Sequence, residues 1–308
     1  MSADALEAAQ ALRQGGLVIL PTETVYGLAA DASNPEAIAR IYEAKGRPQF
    51  NPLISHVTDA GAAGRLAVFD DRAARLADAF WPGPLTLVLP AKPGGVCDLA
   101  RAGLETVALR APAHPVAQAV IAAFGGALAA PSANRSGRPS PTTYQDALSE
   151  TGFAAAAALD GGPCAVGLES AVVSLLPGEP ARLLRPGGVT RAEIETEIGA
   201  LESAEGDAKR SPGRLALHYA PDAQVRLNVT SPSAGEAYLA FGPDQAIGPG
   251  VFNLSPSADP REAAVNLFAY LRAADRLKPI AIAVAPIPNY GLGEAINDRL
   301  ARAAGFIG

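Results

Sequence analysis

The chain has 308 residues, with 25 Lys+Arg against 31 Asp+Glu, a formal net charge of −6 and 49% hydrophobic residues. That balance excludes a disordered or collagen-like chain, and the acidity argues against a protein that coats nucleic acid. No basic arm is hidden in it: residues 1–200 hold 15 basic and 20 acidic side chains, and residues 201–308 hold 10 and 11.

The elements alternate from the start. Leu6, Ala9 and Leu12 fall at helical spacing, and Gly15-Gly16 stops that helix. Leu17–Leu20 reads as a buried strand and Thr22–Leu28 as a turn segment. Asn34-Pro35 opens a second helix, because Asn caps well and Pro suits the first helical position. Lys45 lies in its last turn and Gly46 closes it. Strands follow at 53–57, 85–89, 106–109 and 128–130, with helices at 72–80, 116–124 and 142–149. His114, before Pro115, reads as a helix-start residue. Ala154–Ala158 is read only as an apolar run too short for a membrane span. Strands at 171–175 and 182–184 and a helix at 191–198 complete an α/β pattern.

Residues 201–221 break it with charge and with Ser211-Pro212-Gly213 and Ala220-Pro221, so they read as an interdomain linker. Strands at 225–229, 238–241, 251–254 and 280–284 and helices at 259–273 and 294–304 then form a small second α/β domain. The expected domains are 1–200 and 222–308. Cys97 and Cys164 form no C-x-x-C pair, and no His/Cys cluster has zinc spacing, which predicts a reduced, cytoplasmic protein without a metal site. The acidic start Met1–Glu7 is not a signal peptide, and no membrane span is expected.

Three loops concentrate polar residues beside short strands: Thr22–Tyr26 with Lys45–Leu53, Ser132–Thr142, and Gly167–Ser170 with Leu184–Gly188. Lys45-x-Arg47 at a helix exit is either charge capping or an anion clamp. Ser132–Thr142, rich in hydroxyls and feeding a helix start, is either a plain surface loop or a phosphate site. Neither a Walker A loop, a G-x-G-x-x-G nor a G-x-S-x-G is present. Of the three histidines, His56 at a strand end is the best candidate for ligand contact.

Five motifs occur in one order: Pro21–Leu28, Lys45–Pro48, Asn51–Ile54, Pro131–Asn134 and Leu184–Gly187. Each is weak alone, but the ordered set resembles the Sua5/YciO/YrdC family. Residues 211–221 and the tail Gly291–Leu300 resemble the linker and C-terminal domain of the longer Sua5 type. The resemblance implies a YrdC-like twisted mixed α/β sheet with a concave pocket, plus a small Rossmann-like α/β domain. It implies an L-threonylcarbamoyladenylate synthase, a nucleotidyltransferase that uses L-threonine, bicarbonate or CO2, and ATP. Mg2+ is expected on the ATP phosphates, and the product to serve a tRNA threonylcarbamoyl-transfer complex that makes t6A.

By motif, the resemblance assigns Thr24, His56, Arg110, Ser132 and Ser170 to the threonine moiety. Arg47, Asn51, Thr106, Asn134, Thr142 and Arg185 fall to ATP, with Lys45 lining the same pocket, and Lys45 and Arg47 are the expected catalytic pair. Ser140 stands in place of Thr142 or beside it, and Tyr219 matches a linker tyrosine that covers the pocket. Arg110 is suited to a bidentate grip on the threonine carboxylate. The family linker usually carries basic residues where this chain has Arg214-Leu215-Ala216-Leu217. Two rival readings are a double-stranded RNA-binding module, with direct tRNA contact left open, and a carbamoyl-adenylate domain of hydrogenase-maturation type. The second lacks its zinc-finger and acylphosphatase-like segments here.

Overall fold

The computed structural model describes residues 2–203, 219–243 and 248–305. Most of the expected linker, including Arg214, Leu215 and His218, lies outside the described residues. The first part of the chain runs α1 (Ala3–Arg13), β1 (Leu17–Leu20), β2 (Gly27–Asp31), α2 (Pro35–Lys45), β3 (Ile54–His56), α3 (Ala60–Gly64), α4 (Asp71–Phe80), β4 (Leu85–Pro90) and β5 (Thr106–Arg110). It continues with α5 (Pro115–Phe124), β6 (Leu128–Ala129), α6 (Tyr144–Thr151), β7 (Ala155–Ala158), β8 (Ala171–Ser174), β9 (Arg182–Arg185), α7 (Arg191–Ile198) and β10 (Glu202–Ser203). These strands form one mixed sheet in the order β10-β9-β8-β4-β5-β3-β6-β2-β1-β7.

The second part runs β11 (Gln224–Arg226), β12 (Ala237–Ala240), β13 (Val251–Asn253), α8 (Pro260–Arg276), β14 (Ala281–Val284) and α9 (Leu292–Ala303). Its strands pair in parallel in the order β11-β14-β12-β13.

Local sequence explains the helix ends. Asn34 Oδ1 accepts from the Glu36 and Ala37 amides at 3.0 and 3.2 Å, and Gly46 ends α2 in the left-handed region at φ 59°. His114 caps α5, its Nδ1 accepting from the Val116 amide at 3.2 Å.

Three strands differ from the sequence reading. Gly27–Asp31, read partly as a turn, is β2, antiparallel to β1 with Ile19 opposite Leu28. Gly27 has no side chain to show a period, and a Cβ there would crowd the Ala130 Cβ at 3.2 Å. The alanine run Ala155–Ala158 is β7, an edge strand parallel to β1. Alanine favours helix, so pairing, not propensity, decides this element. Glu202–Ser203, at the start of the expected linker, adds β10 beside β9.

The two faces of the large sheet are unlike. Leu85, Leu87 and Leu89, with Val107, Leu109, Ala171 and Val173, sit in one large apolar core. Each fully buried Leu or Val among them contributes roughly 1.5–3 kcal/mol. On the opposite face, α1 and α5 cover β1, β2 and β6 through Leu12, Val18, Leu20, Val120 and Leu128. Over β3, β5, β4, β8 and β9 that face carries only a small apolar floor of Ile54, Val88, Ala108, Val172 and Leu184. The concavity sits there.

The second unit packs on its rim. Tyr219 shares an apolar cluster with Leu267, Phe268 and Leu271 and with Val25 and Leu168 from the first unit.

Candidate active site

Strand alternation puts chemistry on the uncovered face. In β5, Thr106, Ala108 and Arg110 point one way and Val107 and Leu109 the other. Arg110 pairs in register with His56 of β3, and Val172 of β8 with Arg185 of β9. One cavity gathers Thr24, Arg47, His56, Arg110, Ser132, Ser170, Arg185 and Tyr219 from the sequence-derived set, and adds Thr22 and Glu169.

At one end, Arg110 is buried and gives three donors to the protein. Its Nε donates to the Gly83 carbonyl at 3.1 Å, Nη1 to Thr24 Oγ1 at 2.9 Å and Nη2 to Glu23 Oε1 at 2.6 Å. Thr22 and Thr24 share a hydrogen bond of 2.8 Å. Arg110 is therefore held rigidly from three sides, with two further N–H groups of its five remaining for a ligand. Burial first, then the Arg110 charge, pushes the His56 pKa down to about 3, so its imidazole is neutral. His56 Nδ1 and Glu23 Oε2 are buried without a partner among the described residues. His56 lines the cavity, so its orphan marks a place where a ligand supplies the partner. Ser170 Oγ lies 2.7 Å from Thr86 Oγ1.

The other wall is cationic. Arg47 donates from Nη2 to the Pro52 carbonyl at 3.2 Å, and burial lowers its pKa to about 10. Arg185 donates from Nη2 and Nε to the Ser170 carbonyl at 3.0 and 3.2 Å, and burial lowers its pKa as well. Lys45 does not line the cavity. Its ammonium donates to the Ser132 and Asn134 carbonyls and so ties α2 to the 132–142 loop. Burial, and then Arg47, hold its pKa well below the ordinary ammonium range.

Asn134, Ser140 and Thr142 lie in that loop, behind the cavity lining. Asn134 Nδ2 donates to the Arg135 and Arg138 carbonyls at 2.8 and 2.9 Å, while the buried Oδ1 atoms of Asn134 and Asn51 are unpartnered among the described residues. Ser140 Oγ donates to Glu169 Oε1 at 2.5 Å, and the Thr142 carbonyl accepts from the Cys164 amide at 3.0 Å. Thr106 shares the sheet face of Arg110 but stands at the far end of β5, roughly 13 Å along the strand. Tyr219 roofs the cavity. It adopts a left-handed backbone at φ 62°, a cost of roughly 1–2 kcal/mol for a non-glycine residue. Its ring stacks on Phe268 with centroids 5.3 Å apart, and burial pushes its hydroxyl up to about 12. With Tyr219 in place the enclosed space is about 50 Å³.

Residues 10–187 match the Sua5/YciO/YrdC family model, described as "Telomere recombination". The chain belongs to the Sua5/YciO/YrdC family. Residues 189–305 match the "Threonylcarbamoyl-AMP synthase, C-terminal domain" model, which places the chain among the long Sua5-type members. The threonylcarbamoyl-AMP synthase of Bacillus subtilis is 39% identical over 97% of this chain and 92% of its own length. That of Pyrococcus abyssi is also 39% identical, over 97% and 93%. The crystal structure of P. abyssi Sua5 complexed with L-threonine superposes with a TM-score of 0.90 at 38% identity, over 98% of this chain and 94% of that one. The expected architecture, a mixed sheet plus a smaller parallel sheet, is the one this family member has.

Sequence reasoning missed two members of this Sua5-type cavity, Thr22 and Glu169, and the buried Glu23 that holds Arg110. Thr22 and Glu23 sit inside a motif that the resemblance uses for Thr24 alone. Glu169 stands beside Ser170, but an isolated acid in a loop carries no sign of burial. Its partner, Arg299, is 130 residues away.

Proposed function

We propose that this chain condenses L-threonine, bicarbonate or CO2, and ATP into threonylcarbamoyl-AMP and pyrophosphate. One observation carries the reading: a single cavity joins a hydroxyl, imidazole and arginine end to a second arginine wall. Thr24, His56, Arg110, Ser132 and Ser170 form the threonine end. Arg47 and Arg185 face the nucleotide, with Asn51, Thr106, Asn134, Ser140 and Thr142 around them and Lys45 fixing the loop between.

The threonine amine and CO2 form a carbamate. Its oxygen attacks the α-phosphorus, a P–O bond forms, and the bond to the β-phosphate oxygen breaks to release pyrophosphate. The attacking oxygen already carries charge, so the protein need only align the partners and offset their repulsion. Arg47 and Arg185 supply that offset. Neutral His56 offers a hydrogen bond without adding charge. Mg2+ suits this site as an ion carried on the phosphates, because Arg110 and Arg299 already pair with the acidic groups Glu23 and Glu169. A nucleotide needs more than the roofed space, since small-molecule pockets run to roughly 300–1,000 Å³. Tyr219 therefore moves aside for entry.

On this reading residues 1–200 are the catalytic domain, 201–221 the linker and 222–308 a supporting domain. The enzyme works in the cytoplasm and hands its product to a tRNA threonylcarbamoyl-transfer complex. The RNA-binding alternative asks for an open basic surface, whereas Arg110 and Arg185 are buried in the cavity wall. The test is purified protein with ATP, Mg2+, bicarbonate and L-threonine. Pyrophosphate release that depends on threonine is expected, and none above an ATP-only control sinks the proposal.

A further inference from the structure

One side chain of the second unit pairs with a charged residue of the cavity lining. Arg299, on α9, is fully buried. Its Nε donates to Glu169 Oε2 at 2.9 Å and its Nη1 to Asp298 at 2.6 Å. Its guanidinium lies over the Tyr219 ring, 5.4 Å from the centroid. The other Glu169 oxygen takes the Ser140 hydroxyl, and Glu169 lines the cavity together with Arg185 and Tyr219. Burial pushes the Glu169 carboxyl up, and Arg299, Arg185 and Ser140 together carry it below the ordinary range. A carboxylate charge thus stands in the wall that meets the phosphates. Uncompensated, it repels them and attracts the Arg185 guanidinium that should meet them.

Stability alone does not explain the arrangement. A buried ion pair is a weak source of stability, and apolar packing often replaces one without loss. Arg299 Nη2 also lacks an acceptor among the described residues, which a purely structural contact gains nothing from.

We propose that Arg299 is a positioning residue for the adenylation: it holds Glu169 off Arg185 and seats Tyr219 across the cavity. The second unit thereby tunes the nucleotide wall without touching substrate. This rests on the synthase reading above.

The test uses the full chain and steady-state pyrophosphate release. Arg299→Ala should raise the ATP KM by about tenfold or more, with a smaller change for threonine. Adding Glu169→Gln should recover most of that loss, because the stray charge is then gone. Arg191→Ala serves as a docking control. Arg191 pairs with Glu294 of α9 at 3.2 Å, half-buried and outside the cavity lining, and its loss should leave both KM values within about twofold. An unchanged ATP KM in Arg299→Ala overturns the proposal. So does a rise that Glu169→Gln fails to relieve, which assigns Arg299 to docking alone. Should Arg299→Ala not fold, Arg299→Lys with and without Glu169→Gln carries the same test, and absence of relief overturns it. A wild type without threonine-dependent pyrophosphate release defeats the synthase reading instead.

Discussion

The two sheets use the same α/β grammar for different ends. In the smaller one, both faces are apolar. Leu239, Ile282 and Val284 pack with α8 and α9, while Tyr238, Ala240 and Ala283 form a cluster on the reverse. The larger sheet buries one face completely but leaves half of the other without a covering helix. There the alternate positions of β3 and β5 carry His56 and Arg110, and a register shift between β8 and β9 sets Arg185 opposite Val172. A strand that is covered on both sides can hold only packing, whereas one with a bare side can hold charge. The smaller sheet contributes to the site through its covering helices: Phe268 of α8 packs on Tyr219, and Arg299 of α9 pairs with Glu169.

Arg110→Ala should break this contrast most visibly. It removes one partner of a buried pair and strands Glu23, at a cost of about 3–5 kcal/mol. It also removes the proposed carboxylate grip. Denaturant unfolding and threonine-dependent turnover should therefore both collapse, and Glu23→Gln added to it should restore folding but not threonine use. Turnover that survives Arg110→Ala would move the threonine site elsewhere. In the smaller sheet, Leu239→Ala should cost about 2–5 kcal/mol as a core cavity. Here the expected loss is in stability only, with the threonine KM unchanged. A large KM shift would show that the scaffold and the site are not separable.

How far these roles could be read in advance differs by residue. The Asn34-Pro35 cap and the strand at 106–109 follow from local rules, and the structure has both, with the strand running one residue further to Arg110. What escaped was set by partners distant in sequence. Gly27–Asp31 and Ala155–Ala158 have side chains too small to show a period, and each becomes a strand by pairing with β1. Glu169 is a site residue only because Ser140 and Arg299 fold onto it. Nothing in Leu168-Glu169-Ser170 announces that. Lys45 and Arg47, two residues apart, also look equivalent in sequence. The structure separates them, with Lys45 on loop carbonyls and Arg47 in the cavity.

A smaller effect tests the electrostatics of the bare face. The unfolded chain protonates His56 near pH 6.5, and the folded one only near about 3. Between those values the unfolded state binds more protons, so stability falls as pH drops and is insensitive to His56 above about 6.5. The slope from this one group approaches about 1.4 kcal/mol per pH unit, or about 2 kcal/mol between pH 6.5 and 5. His56→Gln should lose that component, so the difference between variant and wild type changes over the window. Parallel curves would mean that His56 is wetter than its burial indicates. Turnover should show no inflection from His56 near pH 6.5.

The mildest probe asks whether α2 is part of the scaffold or of the site. Asn34 caps its start and Lys45 anchors the 132–142 loop from its end. Asn34→Ala leaves the Glu36 and Ala37 amides without their side-chain acceptor, which costs about 1 kcal/mol. Helix fraying of this kind dies out within the first turn, and Lys45 lies three turns along. The ATP KM should therefore stay within about twofold while the unfolding midpoint drops by a few degrees. A KM that moves with the cap would mean that α2 slides as a rigid rod and carries Lys45 with it, so that the 132–142 loop is set by the whole helix and not by its last turn.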